Sequence, residues 1–309
     1  MSQLRSVTAY LWLALKGMLM GAADAVPGVS GGTVAFMTGI YEELIDSLRR
    51  FDLQALRLLF REGPLTAWRH VNGSFLLVLF CGILFSVLTM ARLVLYLLAE
   101  YPIQLWALFF GLILASCWVV ARCIDGWERN RIASFLLGVV TAYLVTSLIP
   151  ISLEATPLTV FLAGMLAICA MILPGISGSF ILLLLGLYAP ILAAIKGFEW
   201  ALLLLFASGC AVGLLSFSRL LHWLFQHHHE ATLALLAGFM LGSLNKVWPW
   251  KYTTAYTIDR HGREVALVQE NLLPGGYESL TGEPAFMASA VGLMALGAML
   301  VMALEWRKQ

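Results

Sequence analysis

The sequence predicts an all-α integral membrane protein built as an inverted-topology repeat, each half a re-entrant helical hairpin plus three transmembrane helices. Three observations carry that prediction. Hydrophobic residues make up 61% of the 309 and charged residues only 12%, with mean hydropathy +0.87, too little polar side chain to coat a water-soluble body of this length. Apolar stretches are interrupted twice by related glycine- and proline-rich segments. Arginine and lysine gather on one expected side of the bilayer.

The first half, residues 1–152, opens with the apolar stretch 9–48, broken at Pro27-Gly28-Val29-Ser30-Gly31-Gly32-Thr33. The break leaves arms of about 15 residues, too short to cross a ~30 Å hydrocarbon core and suited to a hairpin that returns to the face it entered. No small-residue cleavage site precedes a soluble domain after Arg5, so this segment is expected to stay in the mature protein. Residues 49–70 carry Arg49, Arg50, Arg57, Arg61 and Arg69 among Leu53, Leu56, Leu59 and Phe60, which reads either as one amphipathic helix on the membrane surface or as a basic loop. Full-length spans are expected at 74–99, 103–122 and 132–151.

The second half, 153–309, repeats the order: hairpin 158–195, broken at Pro174-Gly175-Ile176-Ser177-Gly178-Ser179, then spans 200–225, 231–248 and 285–304. Between the last two lies the polar outer loop 249–284. There Tyr256-Thr257-Ile258 and Val265-Ala266-Leu267 flank Asp259–Arg263 and predict a small β-hairpin cap. Aligning 17–41 with 164–188 without gaps gives ten identities: Gly17, Met18, Leu19, Ala23, Pro27, Gly28, Ser30, Gly31, Gly39 and Tyr41. Further on, Gly82, Arg92, Gly111 and Ser116 pair with Gly209, Arg219, Gly238 and Ser243, the offset falling from 147 to 127 because of the extra basic stretch. One non-crossing hairpin and three crossings per half turn the second half upside down. With a cytoplasmic N-terminus, that side receives Arg5, the five arginines of 49–70, Arg122, Arg129, Arg131, Arg307 and Lys308, while the short outer loops near Glu100 and Glu154 carry no Lys or Arg. Both termini are then cytoplasmic.

Non-helical backbone at membrane depth survives only where protein or a water-filled cavity covers its amides, so two breaks imply a polar centre. Their glycines allow tight turns, and Ser30, Thr33, Ser177 and Ser179 are expected to cap the helices that follow. Free amides and helix dipoles then favour an anion, and inversion brings the two sites together near the midplane. This makes Ser30, Gly31, Gly32, Thr33, Ser177, Gly178 and Ser179 the candidate ligand site. Arg92 and Arg219 lie in matching apolar spans, where a charge is kept for a ligand or partner, although Arg219 is near enough to a span end to snorkel.

Asp24 has Met171 as its repeat partner, so it puts a single carboxylate beside the anion site. It reads either as a group that couples to a proton or sodium ion, with Glu42 as a second such candidate, or as a structural partner of Lys16 or Arg92. Glu42, Glu43 and Asp46 otherwise suit a solvated helix end. His227, His228 and His229 are consecutive and lack the spacing of a metal face, and the five cysteines lack ligand or redox spacing, so neither metal nor disulfide is inferred. Gly17/Gly21, Gly209/Gly213 and Gly238/Gly242 read as close helix packing. A net charge of +1 gives no field for nucleic acid.

The motif Ala23-Asp24-Ala25-Val26-Pro27-Gly28-Val29-Ser30-Gly31-Gly32-Thr33, with Leu173-Pro174-Gly175-Ile176-Ser177-Gly178-Ser179, resembles the polyprenyl-phosphate transporters, catalogued as domain of unknown function 368. The resemblance spans essentially the whole chain. It implies a multi-pass protein of the bacterial cytoplasmic membrane, with no enzymatic activity and no cofactor, that flips undecaprenyl phosphate from the outer to the inner leaflet to recycle the carrier lipid of cell-wall synthesis. A homo-oligomer is compatible with it. The rival class is the membrane undecaprenyl-pyrophosphate phosphatases, which also carry inverted repeats and a Pro-Gly-x-Ser motif. In those enzymes an arginine follows the serine, where this chain has Gly31 and Gly178, removing the cationic clamp that phosphoryl transfer needs. An ion channel or lipid-binding scaffold is the third class, distinguished by ion flux without lipid transport.

Overall fold

The computed structural model describes residues 6–24, 30–148, 153–258 and 264–306. Pro27, Gly28 and Val29 of the first break, residues 259–263 and the terminal Arg307 and Lys308 lie outside the described residues.

The chain is predominantly helical. The first half contains α1 (Val7–Asp24), α2 (Gly31–Met37), α3 (Tyr41–Arg49), α4 (Leu53–Arg61), α5 (Pro64–His70), α6 (Gly73–Glu100), α7 (Pro102–Arg122) and α8 (Arg129–Ser147). The second contains α9 (Pro157–Ile172), α10 (Gly178–Leu184), α11 (Tyr188–Gly197), α12 (Trp200–His227), α13 (His229–Ser243), β1 (Lys251–Ile258), β2 (Glu264–Asn271), α14 (Pro274–Thr281) and α15 (Met287–Trp306). Helix starts follow local chemistry. Pro102 and Pro157 occupy first-turn positions, where the missing N–H has no intrahelical partner to lose, and Thr156 caps α9 by accepting the Thr159 N–H.

Three helices are long and apolar enough to cross a membrane, α7, α8 and α12, and counting bent pairs as single spans raises this to five among the described residues. Six full spans were expected; α6 with 28 residues and α15 with 20 occupy two more of those positions, and α13 departs for a local cause. Where a span at 231–248 is expected, α13 has 15 residues, about 22 Å at the helical rise. It ends in turns over 244–247 ahead of Pro249, which has no N–H for a further helical bond. The basic stretch forms two helices instead of one, because Gly63 at φ +93 and Pro64 separate α4 from α5. Their apolar side chains Leu53, Leu56, Phe60 and Leu65 stay exposed, and α4 buries none of its residues. The helical segment that follows each break also bends. Gly39 (φ +69) separates α2 from α3, and Gly186 (φ +70), its repeat partner, separates α10 from α11, which meet at 113°.

Helix packing runs in four main pairs: α1 on α6, α9 on α12, α7 on α15, and α13 on α8. Glycines set the closeness of each pair. A Cβ on Gly17 would strike the Leu79 carbonyl of α6 and one on Gly82 the Ala14 carbonyl of α1, with Gly164 and Gly209 reciprocating between α9 and α12. Backbones approach this closely only where no side chain intervenes. β1 and β2 pair antiparallel with a bulge near Thr253, as the expected β-hairpin.

Candidate functional site

The first break ends at Ser30, fully buried and extended at φ −117, ψ 135, which caps α2 by accepting the Gly32 N–H at 3.1 Å. Its hydroxyl lies 3.2 Å from the Met171 carbonyl and 3.4 Å from that of Leu173, so its single proton serves the open acceptors at the end of α9. Gly32 backs onto the same end, since a Cβ there would lie 2.6 Å from the Ile172 carbonyl. Thr33 does not cap its own helix. Its hydroxyl accepts the Gly175 N–H at 2.8 Å, tying the first break to the second.

The second tip is built differently from its partner. Ser177 stands at the start of α10 without capping it, and its hydroxyl pairs with that of Ser179 at 2.7 Å. Gly175 takes φ +90, a conformation that favours glycine, with its backbone against Ser243 and Phe239 of α13. The breaks of the two halves thus interlock, with Ser30, Thr33, Gly175 and Ser177 all buried or internally bonded.

Asp24 resolves into a definite contact: its Oδ1 accepts the Gly31 N–H at 2.7 Å, so a carboxylate already sits where an anion was expected. In the second half Met171 packs against Gly178 in the corresponding place, a thioether where the first half has a charge. Among the described residues no acceptor reaches the Gly178 N–H. Lys16 donates to the Thr38 carbonyl at 2.8 Å.

The arginines stand apart from the tips. The Arg92 side chain lies outside the described residues, while exposed Arg219 donates to the Phe51 carbonyl at 3.3 Å, just beyond α3. Glu42 is also away from the breaks, exposed at the end where α3 meets α12 and α13. There it faces His229 Nε2 at 3.2 Å, and His229 Nδ1 faces Glu230 at 3.3 Å. Asp46 pairs with Arg49, Arg50 and His222. These groups border a cavity of about 690 Å³ lined by Glu42, Glu43, Asp46, Arg49 and His222, and Glu42 also lines a neighbouring one of about 460 Å³. Sequence reasoning missed this cluster because Glu42 and His229 are 187 residues apart and each, alone, suits a wet helix end.

Burial disfavours the charged His229 imidazolium, but hydrogen bonds to Glu230 and Glu42 outweigh it and raise the pKa above its ordinary 6.5. With a raised folded-state value, the contact's contribution is full below pH 6.5 and is lost as pH rises through the folded pKa. Glu42→Gln should therefore lower the His229 pKa in an NMR titration of detergent-solubilised protein. An unchanged value would mean the pair does not form in solution.

The family model described as undecaprenyl phosphate translocase-like matches residues 20–265. A Vibrio cholerae serotype O1 protein named polyprenyl-phosphate transporter is 48% identical over 296 residues, covering 96% of each chain. A Staphylococcus aureus protein of the same name is 31% identical over 254 residues, covering 76% of this chain and 85% of that one. Both relatives are named as transporters and neither as an enzyme. No solved structure matches.

Proposed function

The chain belongs to the undecaprenyl phosphate translocase-like family, and we propose that it is a membrane transporter that moves undecaprenyl phosphate from the outer to the inner leaflet of the bacterial cytoplasmic membrane. The observation that carries the site is the junction of the two breaks, where Thr33 of one half holds the Gly175 amide of the other. A polar crossing point between two halves is what alternating access requires. The isoprenoid tail can remain in lipid, so only the phosphate needs shelter from hydrocarbon.

In this reading the headgroup is bound by the tips at Ser30, Gly31, Gly32, Thr33, Ser177, Gly178 and Ser179. The second tip contributes more to the anion contact, because Asp24 already occupies the Gly31 amide while the second tip has Met171 in the place of that carboxylate. Arg92 and Arg219 draw the phosphate from opposite leaflets, and Asp24 and Glu42 are the groups available to a coupling proton or sodium ion. Residues 1–152 and 153–309 form the inverted halves, with both termini cytoplasmic. The helix pairs support this division: α1 on α6 matches α9 on α12, and α7 on α15 matches α13 on α8, with aligned glycines at matching crossings.

Purified protein in liposomes carrying undecaprenyl phosphate tests the reading. Leaflet exchange should accelerate with no inorganic phosphate released. Phosphate release would favour the phosphatase class, and ion flux without exchange a channel. For the orientation, cysteines placed in 274–282 should label from outside the cell and those at 125–130 only after permeabilisation, whereas labelling from one side alone would sink the inversion.

A further inference from the structure

Lys246 and Lys251 take no part in the contacts described above. Lys246 lies just past α13, with its Nζ 4.6 Å from the Phe180 ring centroid. Lys251 opens β1, with its Nζ 3.5 Å from the Trp106 ring centroid and donating to the Lys246 carbonyl at 2.6 Å. Among the described residues no carboxylate pairs with either ammonium. Burial, and then the neighbouring Lys246, hold the Lys251 pKa well below its ordinary value.

Two adjacent lysines, largely withdrawn from water and without a counter-ion, disfavour each other's charged form, which is the direction of the Lys251 shift. Contact with the Phe180 and Trp106 rings offsets only part of that. A bound anion would relieve both charges together. The position fits one: Phe180 directly follows Ser179, and Gly175 lies against Ser243, three residues before Lys246. Lys246 therefore borders the second tip, the one without a carboxylate, and Lys251 reaches the Lys246 carbonyl beside it. A phosphomonoester carries a charge of about −1.5 to −2 at neutral pH, matching two ammonium groups.

We propose that Lys246 and Lys251 form an anion-binding pair beside the second glycine-rich tip that takes a phosphomonoester. The proposal deepens the transport reading and rests on it for the source of the anion, since a lipid phosphate and free inorganic phosphate share the same chemistry. Full-length protein in detergent should be compared with Lys246→Met and Lys251→Met, using short-chain polyprenyl phosphate, inorganic phosphate and short-chain polyprenol as probes. Both variants should melt at or above the parent's temperature, because an unpaired charge is removed, yet lose about tenfold or more in affinity for the phosphorylated lipid. Polyprenol binding should be unaffected, and Lys246→Arg should retain part of the phosphate affinity. A matching loss with inorganic phosphate assigns the pair to the phosphate itself, and a loss with the lipid alone assigns it to the headgroup of a membrane-held ligand.

Affinities within about twofold of the parent in both Met variants would overturn the pair. So would a loss that appears equally with polyprenol and follows a lower melting temperature. The transport reading fails separately: a parent protein that binds phosphate through these lysines but exchanges no lipid sinks that reading and leaves the pair standing.

Discussion

Gly31→Val and Gly178→Val should each abolish lipid exchange, with the protein still recovered from the membrane. A Cβ on Gly31 would lie 2.5 Å from the Asp24 carboxylate, and one on Gly178 would lie 2.6 Å from the Ala167 carbonyl. Overpacking of this kind costs about 1–3 kcal/mol and displaces the tip backbone that the ligand must approach. The serines should matter less and unequally. Ser30→Ala removes a cap worth about 1 kcal/mol, whereas Ser177 caps nothing and its loss breaks only the Ser179 contact. Asp24→Asn keeps an acceptor for the Gly31 N–H while deleting the charge, so exchange lost in this variant without a lower melting temperature would assign the carboxylate to coupling. Exchange rates in proteoliposomes check the series. Parent-like rates in both valine variants would remove the tips from the site.

Gly82→Leu and Gly209→Leu should prevent assembly of the folded protein, the larger effect on stability. At both positions any Cβ collides with a backbone carbonyl of the partner helix, of Ala14 in one case and Phe161 in the other, and a carbonyl cannot rotate away as a side chain can. Small-residue crossings supply much of the packing attraction between helices in lipid, where no hydrophobic driving force separates one helix from its apolar solvent. Gly292→Leu on α15 is the matched control, since nothing lies near it. Fluorescence-detected size exclusion should show aggregate or loss for the first two and a normal peak for the control. Normal peaks throughout would mean the helices separate without consequence.

The second prediction was readable from spacing, because Gly82 and Gly209 align with each other and fall within apolar spans. The ungapped alignment of the two breaks placed Gly39 and Gly186, which turn out to share positive φ at equivalent bends. The polar contacts were not readable. Spacing did not offer the Gly31 amide as a partner of the Asp24 carboxylate, and that contact forms. It offered Thr33 as a cap, and the hydroxyl instead holds an amide 142 residues away.

What the sequence determined by itself was the solvent, the breaks and the duplication. Lipid imposes long apolar runs, backbone chemistry punctuates them with glycine and proline, and both are local properties that survive without knowledge of the fold. Tertiary structure alone decided which polar groups meet: Thr33 with Gly175, Glu42 with His229, and Lys251 with Trp106. Hydrogen bonds and ring contacts act over a few ångströms, so those partners are fixed only once the glycine crossings have set where each helix lies.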